Sequence, residues 1–268
     1  MSGWNIGRHS IVPLLDGHGH EPAREVLERV GYEGDPWACH SHLLDGHGNL
    51  AMEVGGYLIR SGDRTVVVDA GVGRIDNGKY RGGQFLESLR EQGLEPQDVT
   101  DVVFTHLHFD HVGWATRSGQ VVFPKATYRV HKADWEHFVE SDTADPGAVR
   151  KLSPLREQLE TFSGEHTIAP GIDALPVVGH TPGSSAIVLS DQGSTGVLIG
   201  DLAHAYIELT EPGWEYVHDV LPEQAIQART GFVENFADTG TAIFGAHFPG
   251  MRPGTIESQA GVRTWKQL

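Results

Sequence analysis

Four potential metal ligands stand within six residues of this chain, in the run His106-Leu107-His108-Phe109-Asp110-His111. Three imidazoles and a carboxylate at this spacing have little use in an ordinary core or on a plain surface, and they suit a metal loop. The run also has a position. Asp101-Val102-Val103-Phe104-Thr105 precedes it and reads as a short buried strand, while Val112-Gly113-Trp114 follows and reads as a turn into a helix. The ligands therefore fall on a loop at the C-terminal end of a strand, where folds that mix strands and helices place their sites.

Three further candidates follow, each just after an apolar stretch. His180 comes after Leu175-Pro176-Val177-Val178-Gly179, Asp201 after Val197-Leu198-Ile199-Gly200, and His247 after Ala242-Ile243-Phe244-Gly245-Ala246. Strand ends on one sheet edge can meet in space although they are distant in sequence. Five histidines and two aspartates suit two divalent ions, Zn²⁺ first among them, with Mn²⁺, Co²⁺ and Fe²⁺ compatible with the same donors.

The rest of the chain bounds the setting. At 268 residues it can bury a full core. Its formal charge of −16, from 20 basic and 36 acidic residues, argues against nucleic acid and against an anionic membrane surface. No segment is apolar for eighteen or more residues, so no transmembrane helix is expected. The single cysteine, Cys39, allows no internal disulfide. The N-terminal run from Met1 to Arg8 lacks the pattern of a signal peptide. These features point to the cytoplasm.

Periodicity predicts strands over 54–60 and 65–69, joined by the turn Ser61-Gly62-Asp63-Arg64. A helix is expected over 84–92, ended by Gly93, then a strand over 127–131 and a helix from 132 to about 140. Residues 146–162 read as helical with a break at Pro154, and 172–178, 185–189 and 196–199 read as strands. A helix over 222–236, a core strand over 241–244 and a short tail complete the pattern. Strands and helices thus come in two rounds with hairpins in each, which suggests two face-packed sheets with helices outside, in one domain spanning 1–268. Residues 18–50, with an expected helix at 21–30 and a Gly- and His-rich loop, read as an inserted lid or dimer-contact segment.

The motif set resembles the metallo-β-lactamase-fold hydrolases. The matching pieces are Thr105-His106-Leu107-His108-Phe109-Asp110-His111, Gly179-His180-Thr181-Pro182-Gly183-Ser184, Gly200-Asp201 and Ala246-His247, in the family's order over residues 50–250. The resemblance implies an α+β fold, an αββα sandwich of two mixed β-sheets with the site at one edge. It implies one ion on His106, His108 and His180, a second on Asp110, His111 and His247, and Asp201 bridging them. It also implies hydrolysis by a hydroxide between the ions, with Asp110 as the orienting group and proton shuttle. Such enzymes act on small molecules, and the resemblance allows a homodimer.

The stretches His111-Val112-Gly113-Trp114 and His247-Phe248-Pro249-Gly250 are most similar to the lactonase and organophosphate-hydrolase side. A lactone is therefore the first substrate expected. Organophosphate or aryl ester, thioester and β-lactam hydrolysis are alternatives, followed by iron-dependent oxidoreductase chemistry on the same fold. Acyl-homoserine lactonases usually carry tyrosine three residues after the bridging aspartate. Here that position is His204, with Tyr206 close by but out of register, so His204 and Tyr206 are the candidate substrate donors. Trp114 is a candidate pocket wall or core residue, Trp214 and Tyr216 are candidates for the pocket mouth, and Arg229 reads as a surface or helix-pairing charge.

Overall fold

The computed structural model describes residues 3–268, so Met1 and Ser2 of the N-terminal run lie outside it. The fold follows from strands that are apolar on both faces. In Arg64–Val68, Val66 and Val68 point one way and Val67 the other, as the two-residue period of a strand requires. Val66 and Val68 pack with Ile11, Ile59 and Val103, and with Ile172, Ile187, Leu198 and Phe244 of a second sheet. Val67 packs with Leu14, Val102, Phe85 and Leu89 beneath the helix Phe85–Glu91. The second sheet repeats this arrangement. Its outer residues Ala186, Val197 and Ile243 meet Phe232 and Val233 of the helix Pro222–Phe236. Helix, sheet, sheet, helix is the expected αββα sandwich.

The first sheet runs Trp4–Ile6, His9–Pro22, Asn49–Ser61, Arg64–Val68, Asp101–Val103, Thr127–His131, Leu159–Phe162, with Tyr80–Arg81 on His9–Pro22. The pairs up to Arg64–Val68 are antiparallel and those beyond it parallel. The second sheet runs His166–Ala169, Ile172–Pro176, Ser185–Asp191, Ser194–Leu198, Ala242–Phe244, Gly254–Gln259, Val262–Gln267. Both sheets are therefore mixed. Among the described residues, no helix is long and apolar enough to cross a membrane.

Several expectations need correction. The helix over 21–30 shrinks to Ala23–Val26, and Leu27–Arg29 forms a strand against Trp214–Tyr216. Residues 18–22 belong to the main sheet, because His9–Pro22 pairs with Asn49–Ser61 through residue 22. The excursion between these strands, 23–48, packs Trp37 on Trp214 at 5.2 Å. It contributes no residue to the wall of the metal cavity described below.

Residues 146–162 are not one helical region. The helix Pro146–Leu152 tightens at Pro154, and Leu159–Phe162 then adds a parallel edge strand. The tail is a hairpin, Gly254–Gln259 with Val262–Gln267, that closes the second sheet. Its largely exposed Ser, Thr, Lys and Gln side chains hide the apolar alternation that marks buried strands.

Candidate metal centre

The strand Asp101–Val103 ends one turn before His106, and the loop that follows is held tightly. Gly113 donates to Gly71 O at 2.6 Å and Trp114 to Ala70 O at 2.8 Å. A Cβ on Gly113 would lie 1.9 Å from the Val72 carbonyl carbon, so the loop can lie against its neighbour only with glycine there. Gly200, before Asp201, needs glycine for another reason. Its φ is +52°, and a Cβ would meet the Thr105 side chain at 2.7 Å.

All seven expected ligands converge. His106, His108, His180 and Asp201 offer ligand atoms within 4.8 Å of one another, as do Asp110, His111 and His247. Asp201 faces both groups. Its Oδ2 lies 3.7 Å from His106 Nε2 and 3.5 Å from His180 Nε2. Its Oδ1 lies 3.2 Å from His111 Nε2 and 3.1 Å from His247 Nε2. Asp110 Oδ2 closes the second group, 3.7 Å from His247 Nε2 and 3.9 Å from His111 Nε2.

The outer nitrogens explain why the inner ones point inward. His106 Nδ1 meets Thr105 Oγ1 at 3.1 Å, and His111 Nδ1 meets Asp69 Oδ2 at 2.9 Å. His180 Nδ1 meets Asp219 Oδ1 at 3.0 Å, and His247 Nδ1 meets Glu53 O at 2.8 Å. A histidine that holds a metal is oriented in this way, through a partner on its other nitrogen. Thr105, Asp69, Asp219 and the Glu53 carbonyl were not singled out from sequence. Asp69 had a weak signal, a carboxylate at the end of an apolar strand, where its φ of 59° marks a sharp exit. Asp219 had none.

Arg229 also departs from expectation. It is not a surface charge but is buried, 3.2 Å from Asp219 Oδ2, and it donates to Trp214 O at 3.3 Å. It thereby neutralises the carboxylate that orients His180.

The electrostatics suit cations. Burial, reinforced by neighbouring imidazoles, holds His106 and His108 well below the usual histidine range, and burial also lowers His180. Neutral rings are the form that ligates; at His111 and His247 burial acts in the same sense, but Asp201 outweighs it and raises both. Burial opposes charge on Asp201 too, but the surrounding imidazoles outweigh it and hold the carboxyl well below its ordinary range. His111 Nε2 and Asp201 Oδ1 are fully buried with no hydrogen bond of good geometry, despite standing 3.2 Å apart. Buried polar atoms facing one another without hydrogen bonds suit shared metal ligation. The donor set fits two divalent cations.

The cavity above the site is about 550 Å³. His108, Asp110, His180, Asp201, His204 and His247 line it, with Tyr80, Phe109, Tyr216 and His218 on its sides. His204 Nε2 lies 3.3 Å from Asp201 Oδ2, and its ring stacks on Tyr216 with centroids 3.5 Å apart. Burial disfavours the charged form of His204, yet Asp201 and Glu208 prevail and push its pKa up to about 10.

Tyr206 is not brought to the site. Its hydroxyl is bonded to His42 Nε2 at 2.6 Å and its ring stacks on Trp265. It stands at the entry to the short helix Ile207–Thr210, and from there its side chain leaves the cavity. Trp114 is a core residue whose Nε1 donates to Asp16, and Trp214 is buried behind the wall. Of the expected wall residues, only Tyr216 lines the cavity.

Comparison with known proteins adds to this geometry. The family model described as the metallo-beta-lactamase superfamily matches residues 56–242. An N-acyl homoserine lactonase of Bacillus sp. is 26% identical over 167 residues, covering 56% of this chain and 63% of that protein. A second, from Bacillus cereus, is 24% identical over 176 residues, covering 57% and 64%. The matched region thus spans less than two thirds of these curated relatives. Among solved structures, the dizinc quorum-quenching lactonase AidC, in complex with a product, superposes with a TM-score of 0.85 at 22% identity. That match covers 98% of this chain and 96% of AidC. The hydrolase AbOPH of the beta lactamase superfamily gives 0.83 at 23% identity, covering 99% and 96%. Both share the sandwich described above.

Proposed function

Because this chain belongs to the metallo-β-lactamase superfamily, we propose that it is a dinuclear zinc hydrolase acting on a small ester-like substrate, with a lactone as the first candidate. The observation that carries this reading is the position of Asp201, with Oδ2 toward His106 and His180, Oδ1 toward His111, and His247 Nε2 at 3.1 Å from Oδ1 and 3.3 Å from Oδ2. In the proposal, His106, His108 and His180 hold one ion, Asp110, His111 and His247 hold the other, and Asp201 bridges them. Two bound divalent ions would activate water at neutral pH and polarise the scissile carbonyl.

The protein supplies orientation. Asp69 and Asp219 hold the rings of His111 and His180 in place. Asp110 lies on the cavity floor, where it can orient the attacking water and accept a proton. His204 is the donor facing the substrate, and Tyr216 fixes its ring plane by stacking. The lactone is favoured because the matched relatives are N-acyl homoserine lactonases.

Elemental mass spectrometry with a substrate panel tests this reading. The panel holds acyl-homoserine lactones, simple γ- and δ-lactones, an aryl phosphotriester, a glutathione thioester and a β-lactam. Two zinc ions per chain with lactone turnover is the expected result. Turnover of only another panel member would move the substrate and keep the chemistry. Stoichiometric iron with no hydrolysis would overturn the proposal.

The donor assignment has its own test. His204→Gln is expected to lower kcat about 100-fold, the usual scale for one lost oxyanion donor, with metal content unchanged. Tyr206→Phe is expected to stay within about twofold of the parent, since Tyr206 lies off the cavity. The reverse ranking in steady-state kinetics would exclude His204 as the donor.

A further inference from the structure

A second cavity, of about 570 Å³, opens beside Gly113 and Trp114, and none of the candidate metal ligands lines it. Four of its lining residues are cations, Arg74, Arg117, Arg150 and Lys151, and none is a carboxylate. This is unexpected in a chain with 36 acidic and 20 basic residues. Elsewhere arginines such as Arg8, Arg64 and Arg229 are ion-paired with Asp191, Asp101 and Asp219. Among the described residues, the arginines paired with a carboxylate within 4.0 Å are Arg8, Arg24, Arg29, Arg64, Arg81, Arg90, Arg129, Arg156 and Arg229, and Arg74, Arg117 and Arg150 are not among them. The acidic residue nearest Arg150 in sequence, Asp145, spends its Oδ1 on the backbone amides of Gly147 and Ala148.

Lys151 is an independent sign. Its ammonium donates to the carbonyls of Gly113 and Thr116, so it is fixed at the cavity wall. Burial lowers its pKa, and no carboxylate acts to raise it. A partly desolvated cation with only carbonyl partners is usually completed by an anion. Arg74 is steadied over the Trp114 ring, 6.0 Å from its centroid. Three guanidinium forks match the oxygens of a tetrahedral oxyanion better than those of a lone carboxylate.

We propose that this cavity is an oxyanion-binding site for a small phosphate-bearing molecule, held by Arg74, Arg117, Arg150 and Lys151. The site is separate from the metal centre and does not depend on the hydrolase reading. Its test is calorimetric titration of the metal-loaded protein, wild type and Arg117→Gln/Arg150→Gln, with inorganic phosphate and with glycerol 2-phosphate. Turnover is measured in parallel with the same anions present.

The wild type is expected to bind one anion per chain, weakening as NaCl rises. The double variant, altered only at exposed side chains, is expected to bind at least ~10-fold more weakly with metal content and kcat unchanged. Tighter binding of glycerol 2-phosphate assigns the site to an ester, and tighter binding of inorganic phosphate to the free ion; either sustains the proposal. Equal binding by both proteins, competitive with substrate, would mean that the anion sits on the metal ions and would overturn it. No binding by the wild type up to about 10 mM would also overturn it.

Discussion

If the site holds two ions as proposed, the Asp201→Ala variant is expected to hold well under two metal ions per chain and to lose hydrolysis by at least ~10³-fold, the several kcal/mol that such a centre would supply. The reason is electrostatic as well as geometric. Asp201 is 6% exposed and faces both ligand groups. Two dications side by side repel strongly in a buried site, and a shared carboxylate offsets much of that repulsion. Alanine removes the bridge and leaves a cluster of buried imidazoles. Asp201→Asn keeps the shape but loses the charge and one acceptor, so it should fall between the two. Elemental mass spectrometry read beside circular dichroism checks the prediction. Two ions and parental turnover in a folded Asp201→Ala protein would remove the bridging role.

The second large effect is on stability. Asp16→Ala is expected to destabilise the fold by at least ~4 kcal/mol, because each buried donor left unpaired costs about 1–3 kcal/mol. Asp16 is completely buried and its carboxylate accepts five N–H bonds. Val72 and Gly73 donate to Oδ2 at 2.9 and 2.8 Å. Gly83, Phe85 and Trp114 Nε1 donate to Oδ1, each at 2.9 Å. One side chain thus ties together the 71–73 turn, the start of the helix Phe85–Glu91 and the turn that follows His111. Asparagine cannot replace it, since its amide would aim N–H groups at N–H donors. For a chain of this size the melting temperature should drop by about 10 °C, with weaker metal retention. A thermal midpoint within about 2 °C of the parent would show that other contacts hold these turns.

Much of the site is readable along the chain because ligand chemistry is residue-specific and strand ends are locally marked. His106, His108, Asp110 and His111 follow an apolar strand, and His180, Asp201 and His247 each follow an apolar run. Elements were legible where an apolar run or a terminus is marked locally, as by Val66, Val67 and Val68 in Arg64–Val68 and by Pro222 at the start of Pro222–Phe236. The strand His9–Pro22 was missed because Asp16, Gly17, His18, Gly19 and His20 interrupt its apolar pattern. Those residues have tertiary uses. Asp16 gathers the loops, and a Cβ on Gly17 would lie 1.8 Å from Arg81 O, where Tyr80–Arg81 pairs with this strand. Local propensity could not show that a polar, glycine-containing segment lies inside a sheet.

Read alone, the sequence determined which atoms can hold metal and the order in which they arrive, because imidazole and carboxylate donors at strand ends have few other uses. Only the tertiary structure decided how they are aimed. His111 is turned by Asp69, His180 by Asp219 with Arg229 behind it, and His247 by the Glu53 carbonyl. It also decided that His204 faces the cavity while Tyr206 turns to His42 and Trp265. The partners lie up to 194 residues apart. Such orientations depend on contacts between segments that meet only when the two sheets pack, and no local periodicity records them.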